Sequence, residues 1–206
     1  MNPAAIGVST HLGWAAIAVV TLSRHEVRVL RTDRIVTGED RASVEPFHIA
    51  GGFEGLQRVP QPSNPEAGLE RGLKIQQRTT ARALAGLSRM LEAQDHQLVS
   101  GAILMSRGRT ASTFEKATGS HTQIHVEEGN AVRESFRLAL SGSGVGVHPL
   151  DRKSLLATAE DELGGPGENL LARLAACKPE NDGAWRKEER LAALAGWIAW
   201  CRGKTT

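Results

Sequence analysis

The stretch IGVSTHLGWAAIAV, residues 6–19, decides the fold because it holds two apolar runs separated by a short Thr-His-Leu-Gly turn. Each run has the length of a β-strand. The next segment, HEVRVLRTDRIV at residues 25–36, alternates apolar and polar residues with the strand period of two. Three strands in succession predict an antiparallel meander at the start of the chain.

Helical patterns and two further strands follow the meander. Asn64-Pro65 is a good helix start, and leucines at intervals of three and four after it predict a helix that faces a sheet. LVSGAILM, residues 98–105, is an apolar run typical of a buried central strand, and VGVHP, residues 145–149, predicts another strand. With a helix from Asp151 to about Leu163 and a last helix over roughly 184–201, the order indicates a mixed α/β sheet covered by helices.

The segment from Gly38 to Asn64 is rich in glycine and proline and has no sustained period. A structureless loop of this length is unusual in a compact chain, so we interpret it as a lid, a binding loop or a flexible insert. At 206 residues the chain is long enough for one well-buried domain and short for two. We therefore expect a single domain over residues 1–206.

Net charge, cysteine content and the lack of a long apolar run indicate the kind of partner and the cellular compartment. The 25 Lys and Arg against 23 Asp and Glu leave a net charge of +2, which is too small to indicate a polyanion partner by itself. A local phosphate-binding site rich in arginine is still compatible with this charge. Cys177 and Cys201 lack metal-type spacing and indicate a reducing compartment. Without a signal peptide or an apolar run of about 18 residues, we expect a cytoplasmic protein with no membrane partner.

The stretch SHTQIHVEEGNAVRESF, residues 120–136, lies in a segment whose apolar spacing favours a helix over residues 112–141. On such a helix His121, His125 and Glu128 stand at i, i+4 and i+7 and converge on one face. Imidazole and carboxylate groups donate lone pairs to divalent cations, so this set predicts a metal site or a proton relay. The alternative is a structural network in which each histidine bonds a backbone group and Glu128 accepts a ring N–H.

Other candidates lie at element ends and in the long loop. Ser106, Arg107 and Arg109 follow the predicted central strand at its carboxyl end, where open α/β sheets bind ligands; a solvated turn is the alternative. His48 in PFHIAGG is a candidate ligand-binding residue because adjacent glycines allow close backbone approach, although a loop histidine is more often on the surface. Glu188, on the apolar side of the last helix, either belongs to a site or complements the helix dipole.

Three stretches resemble the RuvC-type Holliday-junction resolvases of the ribonuclease H-like superfamily. They are residues 6–19, residues 129–159 (GNAVRESFRLALSGSGVGVHPLDRKSLLATA) and residues 187–199 (KEERLAALAGWIA). Residues 120–136, residues 184–200 (AWRKEERLAALAGWIAW) and PFHIAGG also resemble a set of uncharacterised bacterial proteins with the same layout. The resemblance implies a ribonuclease H-like mixed sheet, with a three-strand meander plus two further strands, covered by helices on both faces.

In the resolvases, two divalent metal ions held by carboxylates activate water against a phosphodiester. By position, the carboxylate places of the family fall on Ser9, on Met105 or Ser106, and on Glu188, with Glu189 as an additional candidate at the third place. Only the third place has an acid, and two hard cations need several charged oxygens. The resemblance therefore implies either a replacement site built from the histidines and Glu128, or a fold that has lost the chemistry.

We therefore predict a RuvC-like protein that binds structured DNA or RNA. If it is catalytic, we expect a divergent metal-dependent phosphodiesterase or nuclease. The alternative is a catalytically inactive ribonuclease H-fold scaffold or interaction module, and a homodimer is a candidate assembly. A divalent metal, Mg²⁺ or Mn²⁺, is the candidate cofactor. This hypothesis needs the histidines and Glu128 to share one pocket with Glu188. The predicted roles are catalysis by Glu128, Glu188 and His125, metal binding by His121, His125, Glu128 and Glu188, and ligand binding by Ser9, His48, Ser106, Arg107 and Arg109.

Overall fold

A computed structural model of the protein describes residues 1–23, 26–106 and 108–203. Its strands are β1 (Asn2–His11), β2 (Trp14–Ser23), β3 (Glu26–Val36), β4 (Phe53–Glu54), β5 (Gln57–Arg58), β6 (His96–Met105) and β7 (Gly146–Asp151). Its helices are α1 (Arg41–Val44), α2 (Pro46–Gly51), α3 (Pro65–Glu92), α4 (Phe114–Thr118), α5 (His121–Gly142), α6 (Leu155–Leu163), α7 (Gly167–Ala176) and α8 (Lys187–Gly203).

The main sheet has five strands in the order β3-β2-β1-β6-β7, and β4 and β5 form a separate hairpin. β1, β2 and β3 pair antiparallel, whereas β6 is parallel to both β1 and β7. Gly13 completes the turn between β1 and β2 at a φ of 70°, a left-handed conformation that costs glycine little because it has no Cβ. The predicted meander plus two further strands is confirmed.

Helices cover both faces of the sheet. Successive residues of β1 point to opposite faces, so Ala5 packs with α6, α7 and α8 in one apolar layer, whereas Ile6 packs with α3 and α5 in the other. α8 is buried along residues 192–200. Within the residues that the structure describes, no helix is both long and apolar enough to cross a membrane. These layers confirm the predicted mixed α/β architecture.

α8 lies in direct backbone contact with β1. A Cβ at Gly7 would lie 1.7 Å from the carbonyl oxygen of Ala192, and a Cβ at Gly196 would lie 3.0 Å from the nitrogen of Gly7. The two elements can approach this closely because neither glycine has a side chain. Glu188 lies one turn before Ala192, so this contact sets the first turn of α8 over the end of β1.

The segment 38–64 has more regular structure than the sequence indicates. It contains α1, capped by the side chain of Asp40, then α2, which ends at Gly52 in a left-handed conformation with a φ of 67°, and then the β4-β5 hairpin. The prediction of a long loop without regular structure is therefore corrected, whereas a role of this segment as a lid or binding loop stays a prediction. α1 and α2 have four and six residues, too few for a periodic pattern to emerge in the sequence.

The helix predicted over residues 112–141 is present in two pieces, α4 and α5. Thr113 and Ser120 cap them, each hydroxyl accepting a hydrogen bond from the backbone N–H three residues later. The cap at Ser120 starts a new helix at His121 and so sets which face of α5 the histidines occupy. The next helix begins later than predicted, because Asp151 ends β7 and α6 starts at Leu155.

Candidate functional site

The first cluster of polar side chains lies where β1 and β7 end and α8 begins; we call Ser9, His11, Arg152 and Glu188 the strand-end site. Arg152 Nη2 donates to both carboxylate oxygens of Glu188, at 2.6 and 2.8 Å, and Nη1 donates to Ser9 Oγ at 2.7 Å. Ser9 Oγ donates to Glu188 Oε2 at 2.6 Å, and His11 Nε2 lies 3.1 Å from that oxygen. The carboxylate is therefore held from three sides.

Three elements bring the strand-end site together. Ser9 and His11 are two residues apart on β1, so both side chains point to the α8 face of the sheet. Beyond β7, the backbone N–H of Arg152 donates to the carbonyl oxygen of Met105 at 2.9 Å, which holds Arg152 beside β6. The close contact of α8 with Gly7 then places Glu188 above Ser9.

Arg152 determines the charge state of Glu188. Partial burial raises the pKa of Glu188, but hydrogen bonds from Arg152 and Ser9, and the charges of Arg152 and His11, outweigh burial and lower the pKa from 4.5 to about 2. Glu188 is therefore an ionised partner of a permanent cation at neutral pH, not a proton donor.

The strand-end site does not fit the two divalent ions that the resolvase resemblance implies. The positions equivalent to the metal ligands supply Ser9, Met105 or Ser106, and Glu188, and the carboxylate among them is already neutralised by Arg152. Two hard cations need several charged oxygens that are not bound to a guanidinium. These residues therefore do not support two-metal hydrolysis.

The segment after β6 lies at the edge where the sequence places it. Ser106 and Arg109 are exposed, and Arg107 lies outside the described residues. The carbonyl oxygen of Arg109 accepts a hydrogen bond from Gln123 Nε2 at 3.0 Å, which attaches this segment to α5. The phosphate-binding role of Ser106 and Arg109 stays a prediction.

Arg133 flanks the end of β1 on the α5 face, opposite Arg152. Its side chain is buried, with Nη1 3.5 Å from Thr10 Oγ1 and Nη2 donating to Asn130 Oδ1 at 2.6 Å. Burial lowers its pKa, and in the described ranges its Nε has no hydrogen-bond partner and no carboxylate pairs with it. Arg133 lines a groove of about 560 Å³ beside Met105 and Thr110, which we call the Arg133 groove.

The second cluster joins α2 and α5; we call His48, His121 and His125 the histidine cluster. One ring nitrogen from each residue lies within 4.8 Å of those of the other two. The rings meet edge to face. The ring centroids of His121 and His125 are 4.3 Å apart, and the centroid of His48 is 5.3 Å from that of His121 and 4.9 Å from that of His125. His48 is buried, His121 half-buried and His125 exposed, so the cluster opens to solvent on one side.

Glu128 lies behind the histidine cluster and is 1% exposed. Its Oε1 accepts hydrogen bonds from the backbone N–H groups of Phe47 and His48, at 2.8 and 3.0 Å, and lies 3.2 Å from His48 Nδ1. Burial raises the pKa of Glu128, although the hydrogen bonds from His48 and Phe47 oppose that shift. Glu128 therefore caps the start of α2 and orients the ring of His48.

Local packing explains why the three imidazoles meet. His121 and His125 are one helical turn apart on α5, and α2 packs against that turn through Gly51, where a Cβ would lie 2.7 Å from Ile124 Cδ1. Burial, followed by the nearby rings of His121 and His48, lowers the pKa of His125. A lowered pKa favours the neutral imidazole of His125, which keeps a lone pair on one ring nitrogen.

The structure divides the predicted site residues between two places. Glu188 joins Ser9 on the α8 face of the sheet, whereas Glu128 and the histidine cluster lie on the α5 face. The predicted pocket shared by Glu188 and the histidines is not formed, because the sheet lies between α8 and α5. Glu128 binds His48 instead of joining His121 and His125 as a third ligand.

Sequence reasoning missed His11, Arg152 and Arg133. Arg152 directly follows β7, and the rule that ligands bind at the carboxyl ends of strands would have found it had Asp151 not been interpreted as a helix cap. Two-residue spacing from Ser9 could have indicated His11. No sequence signal marks Arg133, since its lack of a carboxylate partner is a property of the tertiary structure.

Comparisons with known proteins identify the fold. No family model and no curated protein sequence matches the chain. The structure of Thermus thermophilus RuvC matches with a TM-score of 0.53 and 11% identity, covering 98% of this chain and 96% of that one. T. thermophilus RuvC in complex with Holliday junction substrate matches with a TM-score of 0.52 and 9% identity, covering 99% and 96%. The chain therefore has the ribonuclease H-like fold of RuvC.

Proposed function

We propose that the protein is a RuvC-like nucleic-acid-binding protein that binds the phosphodiester backbone at the carboxyl ends of β1 and β6. The observation that carries this proposal is the buried guanidinium of Arg133, which has no carboxylate partner among the described residues and faces a groove. A buried cation is costly unless an anion compensates it. Phosphate oxygens suit the planar guanidinium of arginine.

Exposed cations surround the same edge of the sheet. One follows β6, one follows β7 and two lie at the start of α8; within the described ranges none of them has an ion pair. These cations are Arg109, Lys153, Arg186 and Lys187. Acids lie at this edge as well, since Asp151 ends β7, Glu188 pairs with Arg152, and Glu127 and Glu134 line the Arg133 groove. A cluster of this kind attracts a polyanion and makes its binding depend on salt.

The matched solved structures support the choice of nucleic acid. One of the two RuvC structures was determined in complex with Holliday junction substrate. Branched DNA is therefore the first probe to use, with single-stranded and duplex DNA beside it.

Fluorescence anisotropy with a labelled four-way junction tests the proposal. We expect binding that falls steeply with salt, and at least a tenfold loss in Arg133→Gln, since hydrogen bonds to charged groups contribute about 1.5–3 kcal/mol. Arg133→Lys should retain part of the affinity because it keeps the charge. Arg82→Gln is the matched control, since Arg82 is exposed on α3 and lies 3.9 Å from Glu39.

Two results would contradict the proposal. One is an equal loss in Arg133→Gln and Arg82→Gln, with both variants folded by circular dichroism. The other is no binding of any of the three DNAs at low salt, which would favour the inactive scaffold or interaction module. Homodimer formation and cytoplasmic location stay predictions; light scattering of the purified chain tests the first.

A metal-dependent phosphodiesterase is the second candidate function, and the histidine cluster is the observation that favours it. The test is cleavage of a labelled junction with and without added Zn²⁺ or Mn²⁺. Cleavage by the wild type that disappears in His125→Ala would support a catalytic role. No cleavage by the wild type would leave binding as the function.

A further inference from the structure

The histidine cluster lacks the hydrogen bonds of a structural network. His48 Nδ1 contacts Glu128, but across residues 1–23, 26–106 and 108–203 the rings of His121 and His125 have no hydrogen-bond partner. Their nitrogens instead lie within 4.8 Å of each other and of His48. We infer that the histidine cluster binds one divalent metal ion through His48, His121 and His125.

Glu128 is the positioning residue of this metal site. Because Oε1 already accepts two backbone N–H bonds, the contact at 3.2 Å makes His48 Nδ1 the donor. The proton on Nδ1 leaves the Nε2 lone pair free for a metal. Metal-bound histidines in proteins commonly donate their other N–H to a carboxylate in this way, which sets the tautomer and the ring orientation.

The ligand chemistry selects the class of metal. Three imidazole nitrogens suit Zn²⁺ and the neighbouring transition metals, whereas Mg²⁺ and Ca²⁺ require mainly oxygen ligands. The site therefore differs in metal class, and in its place on the α5 face, from the carboxylate sites implied by the resolvase resemblance.

Three protein ligands leave one position of a tetrahedral zinc ion open. The three histidines line a surface pocket of about 410 Å³ together with Arg41 and Glu45. Water or an anionic ligand can therefore reach the ion from solvent. Since His125 is exposed, its ring can also close onto the ion without repacking the core.

Calorimetric titration of the chelator-stripped protein with Zn²⁺ tests the inference. We expect one ion per chain, loss of binding in His125→Ala, and unchanged binding in His96→Ala, which removes a histidine outside the cluster. Co²⁺ should give the strong visible absorption of four-coordinate cobalt, and Mg²⁺ should give no heat. Glu128→Gln keeps an acceptor for α2 and should weaken Zn²⁺ binding about 10–100-fold.

Several results would overturn the inference. One is a wild type that binds neither Zn²⁺ nor Co²⁺. Another is a Zn²⁺ affinity in His125→Ala equal to that of the wild type, with folding checked by circular dichroism. Unchanged affinity in Glu128→Gln would remove the positioning role of Glu128. The titration contains no nucleic acid, so its outcome is independent of whether the Arg133 groove binds DNA.

Discussion

Glu188 and Glu128 are both carboxylates beside histidines, yet their surroundings differ in almost every respect. Glu188 is partly exposed and receives hydrogen bonds from the cation Arg152, which helps to lower its pKa to about 2. Glu128 is buried, receives bonds from backbone N–H groups and His48, and has a raised pKa. One carboxylate is paired with a fixed cation and the other is not.

This difference determines what each site can bind. The strand-end site already contains its own positive charge, so a second cation at Glu188 would have to displace Arg152. In the histidine cluster one ring nitrogen from each of three imidazoles lies within 4.8 Å of the other two, and among the described residues no arginine or lysine side chain pairs with them. The same fold thus has a site on the α8 face in which an arginine already neutralises the carboxylate, and a site on the α5 face in which three imidazoles are open to solvent on one side.

The largest effect is expected from a substitution that moves α8 and so disrupts the strand-end site. In Gly7→Ala the new Cβ would lie 1.7 Å from the Ala192 carbonyl oxygen, and backbone cannot move aside as a side chain can. We expect the free energy of unfolding to fall by at least ~3 kcal/mol, at or beyond the usual range for overpacking. Urea denaturation followed by circular dichroism measures the loss.

Two other glycines supply the controls for that experiment. In Gly51→Ala the Cβ meets the flexible end of Ile124 at 2.7 Å, so a loss of about 1 kcal/mol is expected, with a disturbed histidine cluster. Gly68 on α3 has nothing within 4 Å, so Gly68→Ala should stabilise the protein by up to about 1 kcal/mol. A Gly7→Ala protein as stable as Gly68→Ala would contradict the direct contact of α8 with β1.

The next effect is the coupling between Arg152 and Glu188. Arg152→Met removes the guanidinium and leaves the partly buried carboxylate without its strongest donor, so we expect a loss of about 2 kcal/mol, within the range for hydrogen bonds to charged groups. Glu188→Gln should lose a similar amount. Because the two residues act on one contact, the double variant should lose less than the sum of the single losses, by about 1 kcal/mol. Additive losses in urea denaturation would show that the ion pair contributes nothing.

The pH dependence of stability separates the charge of Glu188 from its packing. Its pKa of about 2 in the folded chain lies below the ordinary 4.5, so its contribution is complete above pH 4.5 and is lost as the pH falls towards 2. The difference in unfolding free energy between wild type and Glu188→Gln should therefore shrink over that interval. A difference that stays constant from neutral pH to about 2 would contradict the lowered pKa.

The sheet could be predicted from sequence because its signals are local. The apolar runs of residues 6–19 and the alternation of residues 25–36 each reflect the burial of a single strand, and the structure confirms all three strands of the meander. The i, i+4 spacing of His121 and His125 is equally local and places both rings on one turn of α5.

Which of the candidate residues share a site could not be predicted, because each site depends on contacts between distant segments. His48 reaches the cluster only because α2, six residues long, packs on α5 at Gly51. Whether Glu188 faces the histidines or the opposite side depends on which face of β1 carries α8, and residue spacing within a helix does not contain that information. Arg152 neutralises Glu188 across 36 residues of chain, and the sequence holds no pairing signal for it.

The smallest effect concerns the aromatic stack beside the strand-end site. Trp14 stacks on His11, with ring centroids 4.1 Å apart, and Arg34 lies over the Trp14 ring at 3.9 Å. Since Arg34 is exposed, Arg34→Gln should lower the free energy of unfolding by only about 0.5–1 kcal/mol, and Arg34→Lys should lose less because a cation remains over the ring. Urea denaturation of both variants, beside Arg152→Met, measures the order. A loss in Arg34→Gln as large as that in Arg152→Met would mean that His11 and the stack, rather than the guanidinium of Arg152, hold Glu188 in place.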